Sequence, residues 1–338
     1  MTNWYILPDE QNISSGFIIF IKIYLGIAAC VGFVGNTATL ASLASFKKLR
    51  TIPNIYLANL AIADLLVCCI IIPNTLIGYY GLYEKIHCRI IALISLMCLM
   101  VSVLTLGLVA LNRYILICRT RDTYEKIYTT KKTLGSAICA WLYALLLFTP
   151  PYYTSAEYTY NTKLGACLFA SKSPPSYFFI LVCADFLVIF PTLNIMLFCY
   201  WKILKKFRDS RRKIGQTSVT TTTRETNSET SEVPPRRAFV SKDDKTRKTG
   251  NKSSTNSKTM ALVKNLLVIT AAFLCSWMPL VITYKIDYYG SLTSSYYHFV
   301  FAVALAGSCL NFLIYAFLNR QLKDAYITLA TCNRKRNI

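Results

Sequence analysis

Charge is scarce in this sequence, and acid is scarcer still. Charged residues are 16% of the 338, where an ordinary soluble domain has about 25%. Asp and Glu number 16 against 37 Lys and Arg. Histidine is nearly missing, with His87 and His298 alone. There is no HExxH, no paired CxxC, no GxSxG and no glycine-rich phosphate loop. Those absences leave metal-hydrolase, serine-hydrolase and nucleotide chemistry without a candidate. The expectation is a chain that is not an enzyme and needs no cofactor. What is abundant is apolar: 54% hydrophobic residues and a mean hydropathy of +0.41. One water-soluble core cannot hide that much apolar surface. A net charge of +21 suggests nucleic acid if it is spread evenly, so its placement decides.

Seven stretches are long and apolar enough to cross a bilayer, which takes about 20 helical residues. They lie near 17–46, 54–79, 85–117, 133–152, 177–203, 260–284 and 294–318. The apolar runs are continuous rather than alternating, which excludes a barrel. The basic residues fall mostly after segments 1, 3, 5 and 7: 30 of the 37 sit there, 17 of them between Lys202 and Lys264. The positive-inside rule makes that the cytoplasmic side. It places the N-terminus outside and the C-terminus inside, as an odd number of spans requires. The charge is thus membrane topology and not a nucleic-acid footprint. The expected location is the plasma membrane, crossed many times.

Residues 1–16 form an outer N-terminus without the basic start of a cleaved signal peptide. They carry an Asn12-Ile13-Ser14 glycosylation sequon. Spans 1–5 fill 17–203, a cytoplasmic loop fills 204–259, spans 6 and 7 fill 260–318, and the tail is 319–338. Within the loop, 210–259 holds 19 Ser or Thr among basic residues and cannot form a core, so it reads as disordered. It is either a phosphorylation and docking segment or a solvated tether. In the tail, Leu322, Ala325, Tyr326 and Leu329 recur at helical spacing, with Arg320, Lys323, Asp324 and Thr328 off that face. This gives a short amphipathic helix on the inner surface. Cys332 after it is a palmitoylation site or an unmodified cysteine. The fold class is an all-α membrane protein: a seven-transmembrane helix bundle with an amphipathic eighth helix.

Of 13 cysteines most lie inside spans, where they pack as small apolar groups. Cys88 and Cys167 instead face the oxidising side, where a disulfide can form. It would tie the outer loop down over the bundle mouth. Polar groups inside spans are functional candidates by default. Asp64 is mid-span in segment 2, with Asn36, Ser102, Ser308 and Asn311 in other spans. They form either a small-cation site or a network holding helices together.

In order, these residues resemble the rhodopsin-like G-protein-coupled receptors. The match runs through Gly35-Asn36 and Leu60 to Asp64. Cys88 is followed by Asn112-Arg113-Tyr114, and Trp141 by Pro150-Pro151. Then come Pro191 and Tyr200, Phe273 with Cys275-Ser276-Trp277-Met278-Pro279, and Asn311-Phe312-Leu313-Ile314-Tyr315. All seven spans and the short helix are covered. Locally, Asn112-Arg113-Tyr114 with Ile115-Leu116-Ile117-Cys118, the stretch Tyr124 to Tyr128, and an Asn311 not followed by proline resemble melatonin receptors and their orphan relatives. The two polar residues that melatonin receptors place around their ligand are matched here by Pro151 and about Val188. That argues against melatonin as the ligand. Ser95, where amine receptors carry Asp, argues against an amine, and Leu305, where opsins carry Lys, against retinal.

The resemblance implies the Cys88–Cys167 disulfide and a sodium pocket at Asp64, Ser102, Ser308 and Asn311. It implies an activation set of Asn112, Arg113, Tyr114, Tyr200, Phe273, Trp277, Pro279, Asn311 and Tyr315. It also implies an extracellular ligand, a heterotrimeric G protein, and receptor kinases and arrestin as partners. An aromatic pocket would be shared by Ser95, Leu99, Asp185, Trp277, Tyr284, Tyr297 and Phe301, suited to a small lipophilic molecule or a peptide's apolar end. Asp185 either meets the ligand or pairs with Lys285. Three departures stand out. Asn112 replaces an acid beside Arg113, and Thr259 supplies none from segment 6. Pro191 and Tyr200 are nine apart where eight is usual, which points to a bulge in segment 5. Phe312 replaces a proline, which should leave segment 7 straighter. The rival reading, a transporter or channel, needs a discontinuous helix or an internal repeat, and neither is visible.

Overall fold

A computed structural model of the chain describes residues 13–80, 84–149, 157–161, 163–170, 186–225, 267–283, 286–287 and 291–331. Its helices are α1 (Ser15–Ser45), α2 (Ile52–Leu66), α3 (Ile72–Gly78), α4 (Lys85–Cys118), α5 (Arg121–Ile127), α6 (Thr130–Phe148), α7 (Phe190–Glu225), α8 (Leu267–Thr283), α9 (Ser294–Leu318) and α10 (Arg320–Ala330). A hairpin of β1 (Glu157–Asn161) and β2 (Ala166–Ala170) lies between α6 and α7. Six helical stretches are long and apolar enough to cross a membrane, and α8 is a shorter apolar seventh. Together they form the expected bundle.

Local chemistry sets the helix starts. Ser14 caps α1 by accepting from the Phe17 amide, Thr129 caps α6, Thr293 caps α9 and Asn319 caps α10. Segment 2 is broken by a π turn, Val67–Ile71, just before Pro73, where the ring cannot continue the hydrogen-bond ladder. The sequence reading did not anticipate it. A second π turn at 186–189 precedes Pro191; it lies outside the Pro191–Tyr200 interval, which is regular α-helix, so the bulge expected from the nine-residue spacing is not found there.

One boundary moves and one side chain turns. The loop expected from 204 begins later, because α7 runs unbroken to Glu225. Lys205, Lys206, Arg208, Arg211, Arg212 and Lys213 are good helix formers and extend the span past its apolar end. Residues 226–259 lie outside the described set. In α10 the buried face is Leu322, Ala325 and Thr328, so Thr328, expected on the polar side, turns inward. Its hydroxyl donates to the Asp324 carbonyl at 2.8 Å, which lets it be buried.

α4 is the central helix and touches α2, α6, α7 and both strands, while α1 packs on α9 and α2. Small residues set the closest approaches. A Cβ on Gly35 would lie 2.1 Å from the Phe312 ring, so the aromatic that replaces the usual proline rests directly on α1. α9 itself is one continuous helix. A Cβ on Gly307 would meet Ser276 Oγ at 2.1 Å, which brings α9 against α8. α10 lies under α1 and α2: Leu322 and Ala325 pack with Leu43, Leu49 and Leu57, and Tyr326 shares a 2.7 Å hydroxyl bond with Thr39.

Candidate functional site

The hairpin closes one mouth of the bundle. The Cys88–Cys167 disulfide joins β2 to the start of α4. Tyr158 donates to the Phe148 carbonyl at 2.7 Å, and Tyr160 reaches Gly78 at 3.4 Å. His298 Nδ1 donates to the Lys163 carbonyl at 3.0 Å, and Lys163 Nζ donates to Leu292 at 3.3 Å. At the turn, Gly165 has φ +65°, a conformation glycine takes without strain, and the His298 ring fills the place of its missing Cβ. Leu164 is fully buried in the bundle core. The hairpin is therefore a stopper packed against four spans. Beside it, Asp287 accepts from Ser291, Leu292 and Tyr297. Burial opposes ionisation, but the Ser291, Tyr297 and Leu292 hydrogen bonds outweigh it and hold the carboxyl down to about 2.

Below the hairpin lies a cavity of about 30 Å³ between α4, α7 and α8. Its lining is wholly apolar and includes Leu99, Val103, Ile189, Met196, Phe273 and Trp277. Of the expected pocket residues, Leu99 and Trp277 meet here. Ser95 does not line it, and Tyr297 and Phe301 are packed into the core. Tyr297 instead spends its hydroxyl on Asp287, 2.8 Å away. Asp185, Tyr284 and Lys285 lie outside the described residues, as do Asn12 and Cys332. Val188 is fully buried. Trp277 stands 6.1 Å from Phe273, ring centre to ring centre, and its indole N–H is buried without a partner among the described residues.

Asp64 is 1% exposed and accepts from Asn311 Nδ2 at 2.9 Å, which couples α2 to α9. Ser102 and Ser308 are buried too, but neither is hydrogen-bonded to Asp64 among the described residues. The four supply oxygen ligands of the kind a small hard cation takes. Sequence reasoning missed the neighbouring network. Asn59 donates to Thr105 Oγ1 at 2.7 Å and accepts from Trp141 Nε1 at 2.9 Å, which ties α2, α4 and α6. Its signal was visible as one amide inside the apolar run from Leu57 to Ile62.

Arg113 lies at the end of α4 far from the hairpin. Its Nε is buried without a partner, and no carboxylate pairs with it among the described residues. Asn112 turns to α5, where its Nδ2 donates to the Tyr124 hydroxyl at 3.4 Å while its Oδ1 is buried unpaired. Tyr114 stacks edge-on against Phe198 of α7. Tyr200 shares a 3.1 Å hydroxyl contact with Thr270 of α8, a partner the sequence did not indicate. Tyr315 bridges the main core and the cluster above α10. Pro279 lies within α8, and its carbonyl accepts from Thr283 Oγ1 at 2.7 Å.

Squid rhodopsin shares this fold, with a TM-score of 0.79 at 19% identity over 98% of this chain and 91% of that one. The class is a multi-pass, seven-helix membrane receptor. Residues 35–315 match the family described as 7 transmembrane receptor (rhodopsin family), and the chain belongs to it. Melatonin receptor type 1A of Mus musculus is 25% identical over 90% of this chain and 79% of its own length. Melatonin receptor type 1C of Xenopus laevis is 25% identical over 62% of this chain, and the match spans about half of that relative, 51%.

Proposed function

We propose that the chain is a ligand-activated receptor that binds an extracellular small lipophilic molecule or peptide in the hairpin half of the bundle. It then activates a heterotrimeric G protein at the opposite face. The N-terminus is outside and the location is the plasma membrane. The observation that carries this is Arg113: a cationic side chain near the far end of the central helix, with its Nε buried without a partner and no carboxylate paired with it among the described residues. In a chain of this family such an arginine is available to a partner protein's acceptors. Trp277 and Phe273, over the apolar cavity, are the proposed link between ligand and face. Tyr200 releases Thr270 and, with Tyr315, closes behind Arg113 as α7 and α8 move apart. The ligand works by preferring that open state.

A sodium ion at Asp64, Ser102, Ser308 and Asn311 would neutralise the buried carboxylate and favour the closed state. Asn12 is the proposed glycan acceptor and Cys332 the palmitoylated residue. Receptor kinases and arrestin dock at the 204–259 region. The test is a ligand screen read by G-protein dissociation in cells, with Arg113→Ala as control. Ligand-dependent dissociation in the wild type and none in the variant is expected. Ion flux without dissociation would replace the receptor with a transporter or channel.

A further inference from the structure

The far part of α7 carries a face that turns away from the bundle. α7 packs on the bundle through Met196, Cys199, Tyr200, Ile203 and Phe207, all buried. At 3.6 residues per turn, the opposite face carries Phe198, Trp201, Lys205, Arg208 and Arg212 in sequence. Phe198 and Trp201 are 49% and 54% exposed, and the three cations are exposed as well. The stripe is aromatic up to Trp201 and cationic immediately after it. The Lys202 ammonium lies 4.9 Å from the Trp201 ring and 5.5 Å from that of Phe198, and the Lys205 ammonium lies 5.5 Å from Trp201. An indole flanked by ammonium groups suits the boundary between hydrocarbon and headgroups. Among the described residues, Asp209 is the one acid beside the stripe.

We propose that this stripe binds the headgroup of a phosphoinositide in the inner leaflet. The inference rests on the reading that this end of the bundle faces the cytoplasm. Direction supports a lipid rather than a protein. The stripe looks sideways out of the bundle, whereas Lys206 turns the other way to bond the Ile117 carbonyl at the end of α4. Reach selects the lipid. Along the helix Lys205, Arg208 and Arg212 lie about 6, 10 and 16 Å beyond Trp201. The headgroup layer of one leaflet is about 5–7 Å deep. A singly charged headgroup therefore meets Lys205 alone. Arg208 and Arg212 need phosphates carried further from the bilayer, as those on an inositol ring are. Both present the forked donors that take phosphate oxygens in pairs.

The full chain in phosphatidylcholine nanodiscs tests this, with a dilute fluorescent phosphoinositide as probe and phosphatidylserine at matched charge beside it. The phosphoinositide should bind saturably, at least tenfold tighter than phosphatidylserine. Lys205→Ala, Arg208→Ala and Arg212→Ala together should weaken it at least tenfold. Arg208→Gln with Arg212→Gln should reduce it to the phosphatidylserine level. Lys131→Ala with Lys132→Ala, on α6, should leave it unchanged. All variants should melt with the wild type, since the side chains are exposed. Wild-type affinity in the triple variant, an equal loss in the α6 pair, or equal binding of the two lipids would overturn the proposal. Nanodiscs offer lipid to both ends of the bundle, so such a failure leaves the orientation untouched. That reading stands or falls on which side of intact cells a C-terminal tag is reached.

Discussion

At Asn112 one amide is buried, its Oδ1 has no donor among the described residues and its Nδ2 has a long bond to Tyr124. Beside it Arg113 has no counter-charge among the described residues. Both features weaken whatever holds the far ends of α4 and α8 together, so the gap between inactive and active states should be small. Asn112→Asp supplies the missing charge and should lower ligand-free G-protein activation. Equal, low basal activity in wild type and variant would refute this account. Asn59 works the other way, because it satisfies two partners at once. Asn59→Ala leaves the Trp141 N–H without its acceptor, a loss of about 1–3 kcal/mol. It should appear as a lower melting temperature in detergent. Asp287 adds a pH signature. Its carboxyl, held at about 2, lies below the ordinary 3.8, so its contribution is complete above about pH 4 and fades as pH falls towards 2. Hydrogen exchange at Ser291 and Leu292 should be steady from pH 7 to 5 once corrected for intrinsic rates. It should quicken only in that acid window, and Asp287→Asn should remove the window.

Among the elements, α1 and α9 show how one substitution is absorbed. Phe312 keeps α9 unbroken and projects a ring that α1 can accept only at Gly35. Gly35→Ala should therefore overpack the contact and cost about 1–3 kcal/mol. Phe312→Ala in the same chain should recover part of it, which a melting series over the two single variants and the double would reveal. The elements were readable in different degrees. Segment 7 was bounded at 294–318 from sequence, because a long apolar run marks it. Neither π turn was readable: the one at 186–189 lies outside the Pro191–Tyr200 interval whose spacing suggested a bulge, and the one at Val67–Ile71 left no signal. Nothing in that apolar run distinguishes an extra residue per turn until α2 must fit its neighbours. The reach of α7 was missed because composition was weighed as core-forming power, and a helix rich in Lys and Arg needs no core to continue.

For the whole molecule, apolar length marked the spans, because span length is a property of stretches rather than of contacts. The site was less legible. Arg113, Trp277 and the Asp64–Asn311 pair could be named from sequence. The apolar cavity could not, because its lining comes from α4, α7 and α8 at faces that only packing selects. The stopper was half legible: Cys88 and Cys167 marked its anchor, but not Leu164, Tyr158 or His298. The disulfide closes a loop of 79 residues, so Cys88→Ser should cost about 4 kcal/mol on loop-entropy grounds. The remaining contacts of Tyr158, Lys163 and His298 should keep the hairpin seated in a chain that still melts cooperatively. A non-cooperative melt would show that the disulfide alone holds it.

The length of α7 has a mechanical consequence. At 36 residues it measures about 54 Å, against a hydrocarbon core of about 30 Å. It begins at the π turn of 186–189, beside the cavity that Trp277 and Ile189 line. A beam pivoted there converts angle into stroke: a tilt of about 5° would carry its free end about 5 Å. Repacking by less than a side chain's width at one end of the bundle thus suffices for a displacement at the other that a docking protein can sense.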